Sequence, residues 1–145
     1  MKVHHVGYIV DNLANAMNEF EKLGYKRVGE PVYDQVRDIY VVFVNNDGVM
    51  VELVMPKSRN SVIYKLAGKY RNMPYHICYE TDCLEDDIEQ LTKRGYMLIR
   101  KPEAASAISN NRVAFLMHLD VGIIELVEKK VINYERECCS EKGQL

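Results

Sequence analysis

The chain repeats itself once, and this internal repeat constrains its fold more than any other feature of the sequence. When the 145-residue sequence is slid by 71 positions against itself, two stretches of 27 residues align with eight identities. Average composition predicts about two. The identical pairs are His5 and His76, Tyr8 and Tyr79, Asp11 and Asp82, Leu13 and Leu84, Lys22 and Lys93, Gly24 and Gly95, Tyr25 and Tyr96, and Pro31 and Pro102. Two copies of one structural unit are therefore predicted.

Both copies have the same local pattern of residues. Each opens with a segment rich in β-branched and aromatic residues, which is typical of a strand. A helical spacing of apolar residues follows, with Asp11 and Asp82 as the predicted N-caps and Gly24 and Gly95 as left-handed C-terminal stops. A short strand and then a strand pair complete each copy. The order strand, helix, strand, strand, strand occurs twice.

This order predicts an α+β fold made of two βαβββ modules. The modules cover about residues 2–56 and 74–129, and residues 57–73 form an unmatched linker. Neither half has a large enough core alone, so the two halves either pack into one pseudo-symmetric domain or exchange with a partner chain. We expect a single domain over residues 1–130 and a polar tail over residues 131–145.

Composition and charge exclude several classes of partner. The net charge is −2 with 28% charged residues, so no concentrated positive field favours nucleic acid or an anionic membrane. The longest apolar run, residues 39–44, is far too short to span a bilayer. The first residues lack a signal-peptide pattern, which predicts a cytoplasmic location and reduced cysteines. Cys138 and Cys139 lie in the tail, and we expect no function for them. A redox or metal-binding role is the alternative.

The repeat places a histidine near the start of each copy and a glutamate near its end. His5 is equivalent to His76 at the offset of 71, and Glu52 is equivalent to Glu125 at an offset of 73. Phe43 pairs with Phe115 at an offset of 72, and small loop insertions would produce these slips. Each glutamate interrupts an apolar strand, where a carboxylate is unfavourable unless it is paired or bound to metal. If the strands surround one cleft, two imidazoles and two carboxylates converge on a divalent ion such as Zn, Ni, Co, Mn or Fe(II). The alternative is that both glutamates point to water.

The other two histidines do not fit this set. His4 precedes His5 directly, and the alternation of side chains along a strand predicts that it points to the opposite face. We therefore interpret His4 as structural or exposed. His118 has no counterpart in the first copy and lies near a predicted turn, where either a structural role or a contact with substrate fits.

The span from Val3 to Glu128 resembles the vicinal oxygen chelate superfamily, which includes glyoxalase I, methylmalonyl-CoA epimerase, extradiol dioxygenases and bleomycin-resistance proteins. The resemblance rests on four short motifs that fall on the family's metal-ligand positions. These motifs are His5-Val6-Gly7, Val51-Glu52-Leu53, Tyr75-His76-Ile77 and Ile124-Glu125-Leu126-Val127. It implies a cupped, partly open mixed sheet around a divalent metal held by His5, Glu52, His76 and Glu125. It also implies a homodimer.

Within the superfamily, the complete ligand set resembles that of bacterial glyoxalase I, which isomerises a hemithioacetal to a 2-hydroxyacyl thioester. We prefer this interpretation, with glutathione or another thiol as co-substrate. Methylmalonyl-CoA epimerase is the alternative, because Tyr40 to Asn45 and Glu52 to Pro56 resemble epimerase sequences. Epimerases carry a glutamate base on the approach to the third strand, where this chain has Gln35 and Val36. Their Gly-rich segment before the seventh strand is replaced here by residues 107–112.

Both activities that the resemblance implies share one mechanism. A carboxylate removes a proton from the carbon α to a carbonyl, and the metal stabilises the resulting enediolate or enolate. Our hypothesis is that Glu125 is both ligand and base, that Glu52 returns the proton to the neighbouring carbon, and that His5 and His76 stay bound. The substrate is then a small thioester or hemithioacetal.

Two rival interpretations belong to the same superfamily. A non-enzymatic binding dimer of the bleomycin-resistance type has this fold but normally lacks the metal set. An extradiol dioxygenase holds Fe(II) with two histidines and one carboxylate. The fourth ligand, Glu52, and the absence of a second pair of modules argue against the dioxygenase.

Overall fold

The computed structural model describes residues 1–130, and its elements follow the same order twice. The first half comprises β1 (Lys2–Ile9), α1 (Leu13–Lys22), β2 (Lys26–Asp34), β3 (Ile39–Asn46) and β4 (Val49–Pro56). A short helix, α2 (Tyr64–Lys69), lies in the linker. The second half comprises β5 (Met73–Thr81), α3 (Leu84–Lys93), β6 (Met97–Ala105), β7 (Asn111–His118) and β8 (Gly122–Glu128). The predicted order of elements is confirmed.

All eight strands form one curled, mixed sheet in the order β2-β3-β4-β1-β5-β8-β7-β6. The central strands β1 and β5 are antiparallel, and Val6 lies opposite Ile77, its equivalent at the 71-residue offset. The pseudo-two-fold axis therefore passes between these two residues. On either side, β4 runs parallel to β1 and β8 runs parallel to β5. The α+β fold of tandem βαβββ modules with a cupped sheet is confirmed.

The two long helices cover one face of the sheet in equivalent ways. Leu13 of α1 is buried against alternate residues of β3 and β4, and Leu84 of α3 is buried against β7 and β8. Side chains alternate along a strand, so the intervening residues face the concave side. Burial there of Val41 and Val54, and of their counterparts Val113 and Val127, gives the concave side its own apolar lining. Polar residues placed among them are held in an apolar environment.

The helix caps differ from the prediction. The N-cap of α1 is Asn12, whose side chain accepts a hydrogen bond from the backbone N–H of Asn15 at 2.9 Å. Asp11 lies one residue too early and instead pairs with Arg71 and Asn72 in the linker. The N-cap position of α3 is Cys83 rather than Asp82. The stops are confirmed, because Gly24 and Gly95 have φ values of 97° and 94°.

Two other findings concern the membrane and thiol predictions. Among residues 1–130, no helix is long and apolar enough to cross a bilayer. Cys78 is buried and forms no disulfide within the described residues. The predicted tail, with Cys138 and Cys139, lies outside the described residues.

Candidate metal centre

The four sequence-predicted ligands come together on the concave face of the sheet. Glu52 lies on β4, His5 on β1, His76 on β5 and Glu125 on β8, so four adjacent strands contribute one side chain each. All four residues are buried, with exposed fractions of 7%, 1%, 3% and 3% in that order. The convergence occurs within one chain. The alternative in which the two glutamates point to water is wrong.

The distances between ligand atoms fit a single divalent ion. The Nε2 atoms of His5 and His76 are 3.2 Å apart, and each lies 3.1 Å from Oε2 of Glu125. Oε2 of Glu52 lies 3.4 and 3.6 Å from the same two nitrogens. With metal–ligand bonds of about 2.1 Å, neighbouring ligands around one ion are separated by about 3.0 Å in octahedral and 3.4 Å in tetrahedral geometry. The donor set of two nitrogens and two oxygens therefore matches the group that the sequence implies.

One proposed ligand atom of the cluster makes no hydrogen bond within the described residues. Oε2 of Glu125 is buried and has no hydrogen-bond partner there, although it lies close to both imidazoles. A buried carboxylate oxygen without a donor is costly, because it loses its water without replacement. A cation at the common point of the four side chains removes that cost.

Backbone pairing explains why each ligand lies where it does. His76 lies opposite Gly7, and Gly7 is also the neighbour of Glu52 on the parallel strand β4. The symmetric position is Cys78, which lies opposite His5 and next to Glu125. Small residues at these two positions leave space over the central strands, into which the imidazoles extend.

Two phenylalanines hold the imidazole rings in equivalent orientations. Phe43 contacts the edge of His5 with ring centroids 5.2 Å apart, and Phe115 contacts His76 at 5.3 Å. Both pairs are close to perpendicular, the geometry that aromatic rings favour. The sequence repeat had matched Phe43 with Phe115, and the structure gives this pair its role.

The sequence predicted that His4 points away from the site, but the structure places its side chain beside that of His5. The pairing of β1 with β5 shifts between Val3 and His5, so the simple alternation of side chains fails at His4. Its Nδ1 lies 2.7 Å from Nδ1 of His5, within hydrogen-bond distance. His4 therefore orients the imidazole of His5 and leaves Nε2 facing the cluster, an arrangement typical of the residues behind a metal ligand.

The charges in the cluster stabilise one another. Burial favours the neutral form of His5, but the negative charge of Glu52 and the close contacts with both carboxylates raise its pKa to about 10. Burial opposes the ionised form of Glu125, yet the imidazoles of His5 and His76, each 3.1 Å from its Oε2, hold its pKa well below the usual value. The site therefore stabilises a positive charge among two carboxylates.

A cavity of about 270 Å³ adjoins the cluster, and both Glu52 and Glu125 line it. Its walls come from both halves and from the linker, which contributes Ile63 and Leu66. Tyr75 also lines it; burial raises the pKa of this phenol well above its usual value, so the hydroxyl stays protonated and can donate a hydrogen bond. A ligand in this cavity lies beside the two carboxylates.

His118 lies outside both the cluster and the cavity lining. Its Nδ1 accepts a hydrogen bond from the backbone N–H of Asp120, and its ring packs on Tyr96. Its Nε2 also lies 3.4 Å from where a Cβ on Gly95 would be. These contacts assign His118 a structural role at the turn after β7.

Sequence reasoning missed the polar residues of the cavity that the repeat does not duplicate. Arg37 and Arg100 both line the cavity, and neither has an arginine at the equivalent position of the other half. The available signal for Arg37 was its spacing from Asp34, since a charged pair three residues apart closes the turn before an apolar strand.

Comparison with known proteins identifies the family. A model of the Glyoxalase/Bleomycin resistance protein/Dioxygenase superfamily matches residues 4–115. The mitochondrial methylmalonyl-CoA epimerase of Bos taurus is 27% identical over 128 residues, which cover 86% of this chain and 73% of the relative. The corresponding enzyme of Dictyostelium discoideum is 26% identical over 131 residues, covering 88% of this chain and 78% of the relative.

A solved structure shows the same fold. The crystal structure of methylmalonyl-CoA epimerase from Mycobacterium tuberculosis has a TM-score of 0.77 and 24% identity, over 89% of this chain and 88% of that chain. The family match covers most of the chain and includes three of the four converging residues, His5, Glu52 and His76. The chain belongs to the Glyoxalase/Bleomycin resistance protein/Dioxygenase superfamily.

Proposed function

We propose that the protein is a divalent-metal-dependent enzyme that moves a proton at the carbon α to a thioester carbonyl, with an acyl-CoA epimerase of the methylmalonyl-CoA type as the activity. The observation that carries the proposal is the convergence of His5, Glu52, His76 and Glu125 beside a cavity that both glutamates line. The two epimerase relatives support the choice of substrate class. In this proposal, residues 1–130 act as one domain.

The proposed roles of the residues follow from their positions. His5, His76, Glu52 and Glu125 hold the ion, which when bound supplies positive charge that stabilises an enolate oxygen. Glu125 takes the α-proton, and Glu52, its equivalent across the pseudo-two-fold axis, returns a proton to the opposite side. The two carboxylates belong to strands on either side of the central pair, so they approach the cavity from different directions. Such an arrangement suits inversion at one carbon.

The comparisons favour the epimerase over the glyoxalase I interpretation that the ligand set suggested. A specific observation keeps glyoxalase I as the second candidate: no glutamate lies on the approach to β3, where Gln35 and Val36 occur. The ligand carboxylates would then also serve as the acid and base of the reaction, which is the glyoxalase I pattern. In either case the chemistry is proton transfer next to a carbonyl.

One experiment separates these candidates. The purified protein is analysed for bound Mn, Fe, Co, Ni and Zn, and the loaded enzyme is then assayed in D₂O with methylmalonyl-CoA and with the hemithioacetal of methylglyoxal and glutathione. We expect metal at one ion per chain and α-deuterium incorporation into methylmalonyl-CoA. Conversion of the hemithioacetal alone overturns the epimerase and supports glyoxalase I. Retained metal with neither activity overturns both substrates.

The metal assignment needs its own control, which the chain provides. His76→Gln removes a proposed ligand, whereas His118→Gln changes a histidine outside the cluster. We expect loss of bound metal only in the first variant. Equal metal content in both variants overturns the proposed ligand set, and absence of metal from both variants and from the wild type supports a binding protein without metal. Sedimentation of the same samples tests the homodimer, which stays a prediction.

A further inference from the structure

The cavity beside Glu52 and Glu125 also contains two arginine side chains in its wall. Arg37 follows β2 in the turn before β3 and is only 5% exposed, and Arg100 lies on β6 in the second half. An arginine cannot lose its charge in a protein, so the buried guanidinium of Arg37 and the buried Nε of Arg100 must find acceptors. The acceptors that they do find leave part of each group unused.

Arg37 uses only one side of its guanidinium. Nη1 donates to Oδ2 of Asp34 at 2.8 Å and to the backbone carbonyl of Ala104 at 3.1 Å. Nη2 approaches Oε2 of Glu103 at 3.8 Å, too far for a hydrogen bond. Within residues 1–130, the hydrogen bonds of the Arg37 guanidinium are made by Nη1, and Nη2 has only this longer ion-pair contact.

Arg100 shows the same deficiency. Its Nη2 donates to Oε2 of Glu103 at 3.0 Å, the same oxygen that Arg37 approaches. Its Nε is buried and has no acceptor within the part of the chain that the structure describes. Glu103 therefore brings the two guanidinium groups to neighbouring positions in the cavity wall, each with an unused donor.

A carboxylate is the ligand group that suits these donors. Guanidinium groups bind carboxylates through parallel N–H bonds, which are stronger than bonds between neutral groups and fix orientation. The competing explanation is purely structural, because Arg37 also joins its turn to β6 through Ala104 and to the linker through the N–H of Val62. The two explanations differ in what happens to substrate preference.

We propose that Arg37 and Arg100 bind a carboxylate on the acyl part of the substrate, and so select thioesters of dicarboxylic acids over thioesters with an uncharged acyl group. The inference rests on the proposed function, because it assumes a thioester beside Glu52 and Glu125. It adds a specificity-determining pair that the repeat of the sequence does not contain.

The test compares two substrates that differ only in this charge. Deuterium exchange at the α-carbon is followed with methylmalonyl-CoA and with its methyl ester, which keeps an activated α-proton but has no carboxylate. The measured quantity is the ratio of kcat/KM for the acid to kcat/KM for the ester. We expect Arg37→Met to lower this ratio by about 10- to 100-fold, the loss expected for a charge-assisted hydrogen bond.

Two further variants make the result decisive. Arg100→Lys keeps the charge but removes the buried Nε, and we expect the ratio to fall by about 5- to 10-fold. Arg112→Met is the matched control, because Arg112 pairs with Glu85 and Glu128 away from the cavity, and its ratio should equal that of the wild type. If Arg37→Met does not fold, Arg100→Lys alone carries the test.

The outcomes separate this inference from the function on which it rests. If the wild type exchanges neither substrate, the proposed function fails. If it exchanges acid and ester equally well, the function stands and the carboxylate site is overturned. Unchanged ratios in Arg37→Met and Arg100→Lys also overturn the carboxylate site, even if the variants are less stable. Loss of stability without a change in substrate preference indicates that the two arginines have a structural role alone.

Discussion

The backbone of Gly7 lies directly against the imidazole of His76. A Cβ added to Gly7 would lie 2.0 Å from Cε1 of His76 and 2.5 Å from its Nε2, which is closer than non-bonded atoms can approach. The absence of a side chain at residue 7 is therefore a condition for the position of a proposed metal ligand on the neighbouring strand.

The first prediction follows from this contact. Gly7→Ala should displace the ring of His76 and reduce bound metal at least tenfold, with a parallel loss of deuterium exchange. Gly68→Ala is the matched control, since a Cβ there meets no atom within 4 Å. Metal analysis of both purified variants checks the prediction. Normal metal content in Gly7→Ala would mean that His76 is not a ligand.

The two glutamates should be separable by the outcome of the reaction. We expect Glu125→Gln to slow α-proton exchange by about 10²- to 10⁴-fold, the usual contribution of a general base. We expect Glu52→Gln to keep exchange on one face while inversion slows, because only the returning group is lost. NMR in D₂O measures exchange, and chiral analysis of the product measures inversion. The assignment of Glu125 as base fails if its amide variant retains metal and near wild-type turnover.

Metal binding should release a proton. Burial opposes the charged form of His5, but Glu52 and Glu125 raise its pKa to about 10, so in the stripped protein His5 is protonated near neutral pH. The ion must displace that proton, and its affinity should therefore increase about tenfold per pH unit up to about pH 10. Calorimetry in buffers of different ionisation enthalpy counts the protons released. A pH-independent affinity contradicts the prediction.

The same pKa shift makes a prediction for the stripped protein alone. Because the folded pKa of His5 is raised above the ordinary value of about 6.5, the interaction stabilises the fold fully below that pH. The stabilisation is then lost as pH rises towards about 10. Denaturant titrations across this range should show a falling free energy of unfolding, and His5→Gln should remove that slope.

His4 should affect metal binding without being a ligand. His4→Phe removes the nitrogen that lies 2.7 Å from Nδ1 of His5. We expect a 10- to 100-fold weaker affinity for the ion, in the range found for residues that orient metal ligands. His118→Phe provides the control. A competition titration with a chelator measures the affinity, and equal values for the two variants would show that His4 has no orienting role.

Arg112 should contribute to stability alone. It donates to Glu128 on β8 and to Glu85 on α3, which ties the second helix to the sheet. The hydrogen bond from Arg112 lowers the pKa of Glu128, so this stabilisation is present above the unfolded pKa of about 4.3 and is lost as pH falls. Arg112→Met should lower the free energy of unfolding by about 1 kcal/mol at pH 7 and leave metal content unchanged. A difference that does not shrink as pH falls below the unfolded pKa would contradict this explanation.

The repeat made the fold and the ligand cluster predictable from the sequence. His5, His76, Glu52 and Glu125 are paired by the 71-residue offset and its small slips, and strand periodicity places them on one face. The bulge at His4 was not predictable, because a shift in register depends on pairing between distant strands. The cap at Asn12 was missed by one residue, since Asp11 is equally suitable by composition, and its contacts with the linker are visible only in the structure.

The cavity wall was less predictable for a different reason. Arg37 and Arg100 come from separate halves, and their shared partner Glu103 becomes visible only when β6 and the turn after β2 lie side by side. The internal repeat reveals the residues that the two halves share. Residues that set specificity for one substrate occur in one half only, so the repeat gives no signal for them.

The pseudo-two-fold axis between Val6 and Ile77 has an evolutionary consequence. In a dimer of identical halves, every ligand group occurs twice about the two-fold axis. A single half with one histidine and one glutamate, paired with its own copy, therefore supplies the same four metal ligands. Fusion of two such halves through a linker such as residues 57–73 converts an assembly that depends on concentration into an intramolecular one. In a fused chain the two halves need not be identical away from the shared donors, and Arg37 and Arg100 are residues that each occur in one half only.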